Sequence, residues 1–387
     1  LPLHQSQIMD IGADPRLAGG RLTIDLGALV ANWRQLAERS KPALAAAVVK
    51  ADAYGLGIVH VVPALWRAGC RSFFVALAEE GLRVKAVAPD ARVFVLNGFF
   101  AEAFPVYEQS DLIPVIGSLE ELAGWRRANA DRSEKLAYAL HVDTGMNRLG
   151  LTVEEAESIA RDGGQQPILL LSHLAAADEQ GHGLTRRQFE SFQKLRGLFE
   201  GIESSIANSP GIFHAGSPAQ ELTRPGIALY GGEALSGTAN PMRPVVTLEA
   251  RIVQVRSARK GETAGYGATA LLERDTRIAI CSVGYADGYL RSASGSGVPL
   301  RQVVGGGAQG HIAGQRVPVL GRVTMDLTSF DVTDIAPEHV AAGDFIELFG
   351  RNIPLDEAAR AAGTIGYELL TSLGNRYHRR YIGAKEA

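Results

Sequence analysis

The sequence predicts an α/β protein, an N-terminal (β/α)8 TIM-like barrel followed by a mostly-β C-terminal domain. Three observations carry this. Short apolar runs recur from Ala43 onward and alternate with segments of helical periodicity. After Pro241 the alternation stops, and short strand-like runs separated by glycine-rich breaks take over. The length of 387 residues holds one barrel of roughly 250 residues and an appended domain.

Residues 1–20 carry Asp10, Asp14 and Arg16 and no apolar stretch of the secretory type, so a flexible, poorly ordered arm is expected. Barrel strands are expected at Leu44–Val49, Phe73–Leu77, Val93–Leu96, Ile113–Ile116, Leu136–Val142, Ile168–Leu171, Ser205–Ala207 and Ile227–Tyr230. The seventh is weak by composition and is placed by spacing. Helical i, i+3, i+4 patterns fall between them, at Val61–Leu65, Glu79–Val84, Leu119–Trp125, Val153–Ile159 and Phe189–Phe199. Continuous apolar strands of this kind belong to a parallel sheet covered on both faces. An open doubly wound sheet is the rival, and the missing Gly-x-Gly-x-x-Gly after the first strand disfavours it. The barrel should span 21–244 and the β domain 245–387. In the latter, strands are expected at Val245–Val255, Arg277–Val283, Pro318–Leu320, Asp326–Val332 and Phe345–Leu348. A turn is expected at Gly305–Gly307, and helical periodicity returns at Leu355–Leu373.

Composition excludes several classes. With 46% hydrophobic residues the chain is not disordered. A net charge of −3 lacks the basic excess of a nucleic-acid binder. No run approaches the ~20 apolar residues of a membrane span. Cys70 and Cys281 cannot form a disulfide framework, which points to a reducing, cytoplasmic setting. The nine histidines show no ligand spacing, so no metal is expected.

In such a barrel the chemistry sits at the C-terminal ends of the strands. Strand one ends in Lys50, one of seven lysines in the chain. Alone it reads as a snorkelling side chain; functionally it reads as a Schiff-base lysine with a depressed pKa. Strand five runs into Asp143-Thr-Gly-Met-Asn-Arg148, strand six into Ser172-His173 and strand seven into Ala207-Asn208-Ser209. Arg224-Pro225-Gly226 stands at the eighth. Each taken singly has a structural reading. Phosphate sites in barrels favour the loops after strands seven and eight, where Ser209 offers a hydroxyl and Gly226 allows close approach. A lysine, a phosphate cradle, two arginines and a histidine at one mouth point to pyridoxal 5′-phosphate held on Lys50.

Val49-Lys50-Ala51-Asp52-Ala53-Tyr54-Gly55 resembles the cofactor-lysine motif of the alanine racemase family. His141–Gly150, Ser172–Ala175, Ala207–Ser209, Arg224–Gly231, Gly265–Gly267, Gly284–Gly288, Gly321–Asp326 and Thr364–Glu368 extend the resemblance in family order. It implies a cytoplasmic, PLP-dependent isomerase that interconverts L- and D-alanine. It further implies a head-to-tail homodimer with shared active sites, and no nucleic-acid or membrane partner. Lys50 is then the base for the D-enantiomer and Tyr266, from the partner subunit, the base for the L-enantiomer. Positive charge from His173 linked to Arg224 is expected to make that tyrosine a better base. By the same resemblance Tyr54, Asn208, Ser209, Gly226, Ile227 and Tyr367 bind cofactor, and Arg224 faces the pyridine nitrogen. Arg148 contacts the cofactor's phenolic oxygen. With the Met325 N–H of the partner subunit it also binds the substrate carboxylate. Asp178, Tyr285, Arg291, Arg322 and Ile365 line the entrance channel. The product serves peptidoglycan synthesis, or the enzyme serves alanine catabolism. One departure stands out: many members carry a carbamylated lysine where this chain has His141, and no carbamate is expected here. Arg148 would then be positioned by a bound anion such as chloride, by Asp143, or by a hydrogen bond from His141. The alternatives are a serine or broad-specificity racemase, a PLP-dependent decarboxylase, and a non-catalytic PLP-binding protein.

Overall fold

The computed structural model describes residues 10–12, 14–296, 298 and 307–383. Leu1–Met9 and Ala13 of the expected arm, and Gly305 and Gly306 of the expected turn, lie outside the described residues. The chain divides into two compact units. One is Leu29–Leu229 with Glu233–Met242; the other takes the chain up to Ala28, Tyr230–Gly232 and the residues from Arg243 on.

The first unit is a closed parallel barrel. Ala47 pairs with Phe73, Phe73 with Val93, Val93 with Leu112, Val115 with Ala139, Ala139 with Leu169 and Leu169 with Glu203. Closure comes from Leu222–Thr223, which pairs with Leu44–Ala45. On the other side of that strand, Arg224 N donates to Ala207 O at 2.8 Å. The strands are short and apolar because both faces are covered; Leu169, Leu170 and Phe73 are fully buried. Helices follow the strands. Ser118 caps Leu119–Ala128 by accepting from Glu121 N, and Thr152 with Glu155 forms a capping box at Val153–Arg161.

Two barrel expectations are corrected. The eighth strand is Leu222–Thr223, and Ile227–Tyr230 is a 3-10 turn. The Ser209 hydroxyl accepts from Gly226 N and Ala228 N, which winds the chain tightly just after Pro225. The seventh strand is Glu203–Ser205, two residues earlier than the spacing placed it.

The second unit is built on an antiparallel-rich sheet around Val246–Ala258. That strand pairs with Gly20–Asp25, Phe345–Phe349 and Thr276–Cys281, and the last of these pairs with Thr328–Asp331. Residues 21–28, expected to open the barrel, therefore belong here. In Gly20–Asp25 the buried positions alternate, with Leu22 and Ile24 fully enclosed between two partner strands. Within the expected arm, Asp10–Gly12 is a strand paired with His378–Arg380. The run expected at Pro318–Leu320 is a strand at Gln315–Pro318, and Leu355–Leu373 divides into helices Leu355–Ala361 and Gly366–Thr371.

Candidate active site

The first barrel strand delivers Lys50 at its C-terminal end. The chain then turns left-handed: Ala51, Asp52, Ala53 and Tyr54 all have φ between +52° and +57°. Left-handed geometry costs an L-residue roughly 1–2 kcal/mol each. Neighbouring groups hold it in place. The Glu80 carboxylate accepts from Ala51 N at 2.6 Å and from Ala76 N at 2.8 Å. The Asp52 carboxylate accepts from Ile58 N and pairs with Arg83. The turn tucks the Tyr54 ring inward, leaving it 5% exposed. Burial, then the Arg148 charge, lower the pKa of the Lys50 ammonium, while Glu80 opposes them.

Arg224 is buried directly after the eighth strand. Its Nη1 donates to Ser205 Oγ at 2.5 Å and its Nη2 to the Ser172 carbonyl, with His173 Nδ1 3.5 Å away. Burial lowers its pKa to about 10, so it stays cationic at neutral pH. His173 is pushed well below the usual histidine range by burial, Arg224 and Arg148. The positive charge expected from His173 linked to Arg224 thus resides on the arginine, and the imidazole is neutral. His141 closes the fifth strand, buried, with its pKa pushed down to about 4 by burial and Arg224.

The Asp143 carboxylate accepts backbone N–H groups from Gly145 and Met146 at 2.7 Å and from Arg148 at 3.2 Å. It fixes the loop that carries Arg148. Among the described residues no hydrogen bond joins His141 to Arg148, so the direct His141 bond weighed above is not made. The Arg148 side chain is exposed.

The expected phosphate cradle is compact. Ser209 is 2% exposed and its hydroxyl accepts from Gly226 N at 2.8 Å and Ala228 N at 3.3 Å. Asn208 Oδ1 caps the neighbouring turn at Gly211 N. The Ile227 N–H donates to no described residue. A Cβ on Gly226 would lie 2.4 Å from Tyr54 Oη, so glycine is required for these loops to meet. A strand-end amine, buried guanidinium, neutral imidazole and amide-hydroxyl cradle suit PLP. Sequence reasoning missed Glu80, Ser205 and Phe74, whose ring lies 5.8 Å from the Arg224 guanidinium carbon. Their supporting roles depend on contacts between distant segments and carry no motif.

In the barrel unit Asp178 is exposed, and its carbonyl accepts from Ser236 N. The β unit gathers most of the other candidates. Tyr266 is 73% exposed on a 3-10 turn flanked by Gly265 and Gly267. The Arg322 guanidinium reaches that turn, 3.3 Å from where a Gly267 Cβ would lie. Tyr285 N donates to Thr324 O beside Met325, which is itself exposed. Ile365 caps the helix that bears Tyr367, and Arg291 is exposed at the start of a separate 3-10 turn.

The barrel, its strand-end lysine and the appended β unit are those of a barrel-type, PLP-dependent isomerase. Residues 24–234 match the alanine racemase N-terminal domain and residues 245–381 the alanine racemase C-terminal domain. The chain belongs to the alanine racemase family. It is 54% identical to the alanine racemase of Rhizobium meliloti (strain 1021), over 95% of this chain and 97% of that one. It is also 54% identical to the biosynthetic alanine racemase of Agrobacterium fabrum, over 95% and 94% of the two chains. The crystal structure of Bartonella henselae alanine racemase with covalently bound pyridoxal phosphate aligns with a TM-score of 0.87 at 36% identity. That alignment covers 94% of this chain and all of the other.

Proposed function

We propose that this protein interconverts L-alanine and D-alanine by a two-base mechanism that uses Lys50 of one subunit and Tyr266 of the partner subunit. The observation that carries the reading is Lys50 itself. Burial and the Arg148 charge shift its ammonium toward the neutral amine, the form that accepts a proton. PLP, when bound, supplies the electron withdrawal that acidifies the α C–H. Lys50 Nζ exchanges that proton on one face, and Tyr266 Oη exchanges it on the other. Tyr54, Asn208, Ser209, Gly226, Ile227 and Tyr367 hold the phosphate, with the Ile227 amide as a backbone donor. Arg224 can only donate a hydrogen bond. Facing a ring nitrogen, it leaves that nitrogen unprotonated and favours rapid return of the proton over transamination.

Arg148 and the Met325 N–H of the partner subunit grip the substrate carboxylate. Asp178, Tyr285, Arg291, Arg322 and Ile365 line the entrance. A homodimer is then obligatory for turnover. Its setting is the cytoplasm, where buried Cys70 and Cys281 remain thiols. The activity serves D-alanine supply for peptidoglycan or alanine catabolism. Among the described residues no helix is long and apolar enough to cross a membrane.

The test is proton NMR of L-alanine in D2O with chiral analysis, for wild type, Lys50→Ala and Tyr266→Phe. Racemisation with α-deuterium uptake is expected in wild type, abolished in Lys50→Ala and biased by enantiomer in Tyr266→Phe. A PLP-loaded protein that neither exchanges nor racemises alanine would overturn the reading.

A further inference from the structure

Three loops of the β unit meet at one guanidinium. The first is the turn Gly284–Gly288, which bears Tyr285. The second is Thr324–Leu327, which bears Met325. These two touch main chain to main chain, because a Cβ on Gly284 would lie 2.3 Å from Thr324 O and 2.4 Å from Met325 O. Tyr285 N donates to Thr324 O and Ala286 N to Met325 O, each at 3.0 Å. The Met325 N–H donates to no described residue, which leaves it available to a ligand. The third loop is Gly374–Arg376, joined to the first by Gly374 N donating to Asp287 O at 3.0 Å.

Asp287 is 4% exposed. Its Oδ2 accepts from Gly284 N at 2.9 Å, which closes the first turn on itself. Arg376 reaches this carboxylate with two donors, Nε to Oδ1 at 2.6 Å and Nη2 to Oδ2 at 2.8 Å. It uses a third, Nη1, on Asp326 Oδ1 at 2.9 Å. Asp326 directly follows Met325. A planar fork with fixed donor directions transmits the position of one carboxylate to the other, which a single ammonium cannot do.

We propose that Arg376 is a positioning residue for substrate: through Asp287 and Asp326 it sets the Met325 amide and Tyr285 where a carboxylate is received. The inference rests on the assignment of Met325 to the substrate carboxylate. Its two arms differ in kind. The arm to buried Asp287 carries stability, because removing it strands a desolvated carboxylate. The arm to Asp326 is half exposed at both ends and contributes little to stability. Asp326→Ala therefore isolates positioning from folding, and Arg376→Lys removes the fork while keeping the charge.

The experiment uses the PLP-loaded enzyme. Racemisation of both alanine enantiomers gives KM and kcat. Propionate, which carries the carboxylate but no amine, is titrated by the change in cofactor absorbance, a readout that needs no turnover. Asp326→Ala is expected to raise KM for both enantiomers and the propionate Kd together, by about tenfold, the worth of one charge-assisted hydrogen bond. Its kcat should hold within about twofold and its Tm within about 2 °C of wild type. Arg376→Lys is expected to raise the same constants at least as much, with a lower Tm. If KM and propionate affinity are unchanged in both variants, or if only Tm and kcat fall, Arg376 is merely structural and the inference is overturned. If wild type itself neither racemises alanine nor binds propionate, the functional reading fails first, and the inference fails with it.

Discussion

Replacing Gly226 with alanine tests the cradle at its tightest point. The added Cβ would stand 2.4 Å from Tyr54 Oη, 3.4 Å from Tyr54 Cζ and 3.7 Å from Val48 Cβ. A carbon and an oxygen normally approach no closer than about 3.2 Å, so the hydroxyl must retreat by nearly 1 Å. Tyr54 has little freedom to do so. Its ring is buried, its own φ is +57°, and Gly55 N ties the turn back to Ala51 O at 2.7 Å. Overpacking of this kind costs roughly 1–3 kcal/mol. For a unit of some 200 residues that lowers Tm by about 2–4 °C per kcal/mol. Tyr54→Phe removes the obstructing oxygen and leaves the ring carbon at ordinary contact, 3.4 Å away. The double variant should therefore be more stable than the sum of the single changes predicts, by about 1 kcal/mol or more. Urea unfolding of the apoprotein measures this without the linkage to bound cofactor. Additive single effects, or a Gly226→Ala protein as stable as wild type, would refute the reasoning.

Other expectations follow from the same site. Ser209→Ala strands two buried amides, those of Gly226 and Ala228, and should cost roughly 1–3 kcal/mol in urea unfolding and weaken PLP retention on dialysis. His141 has a folded pKa near 4 against an ordinary value of 6.5, so the unfolded chain takes up the proton first as pH falls. Its contribution, up to about 3 kcal/mol, is therefore present above pH ~6.5 and lost on the way down to pH ~4. His141→Gln should flatten the stability curve across that window. A residual slope of the same sign remains from His173, and an unchanged curve would show that His141 is not desolvated. Arg224→Glu replaces a donor with a group able to keep a ring nitrogen protonated. It should raise transamination, read as pyruvate released from alanine, relative to racemisation.

The barrel was legible because its strands are buried on both faces and are therefore continuous apolar runs, as in Leu169–Leu171. The eighth strand was not, because Leu222–Thr223 is too short to show a pattern and the apolar run after it is wound into a turn by the Ser209 hydroxyl. Lys50 was legible from its place at the end of an apolar strand. Its left-handed turn was not, because alanine and tyrosine have no intrinsic preference for φ near +55°. Glu80 and Asp52, from outside the turn and within it, decide that geometry. Residues 21–25 were placed in the barrel, whereas pairing with Val246–Ala250 puts them in the β unit.

Local chemistry and periodicity thus carried the fold class, and they singled out Lys50 and the Ser209 and Gly226 loops as candidates. These depend on what a short segment can bury or donate by itself. Protonation states and loop registers depend on what lies across from a group. His173 is pushed well below the usual histidine range because packing buries it and brings Arg224 and Arg148 beside it. Gly226 must be glycine because Tyr54 arrives from another strand. Arg376 joins two acidic residues that are 39 positions apart in the chain, Asp287 and Asp326. Such effects fall off within a few ångströms in space but have no fixed spacing in sequence, so packing alone decided them.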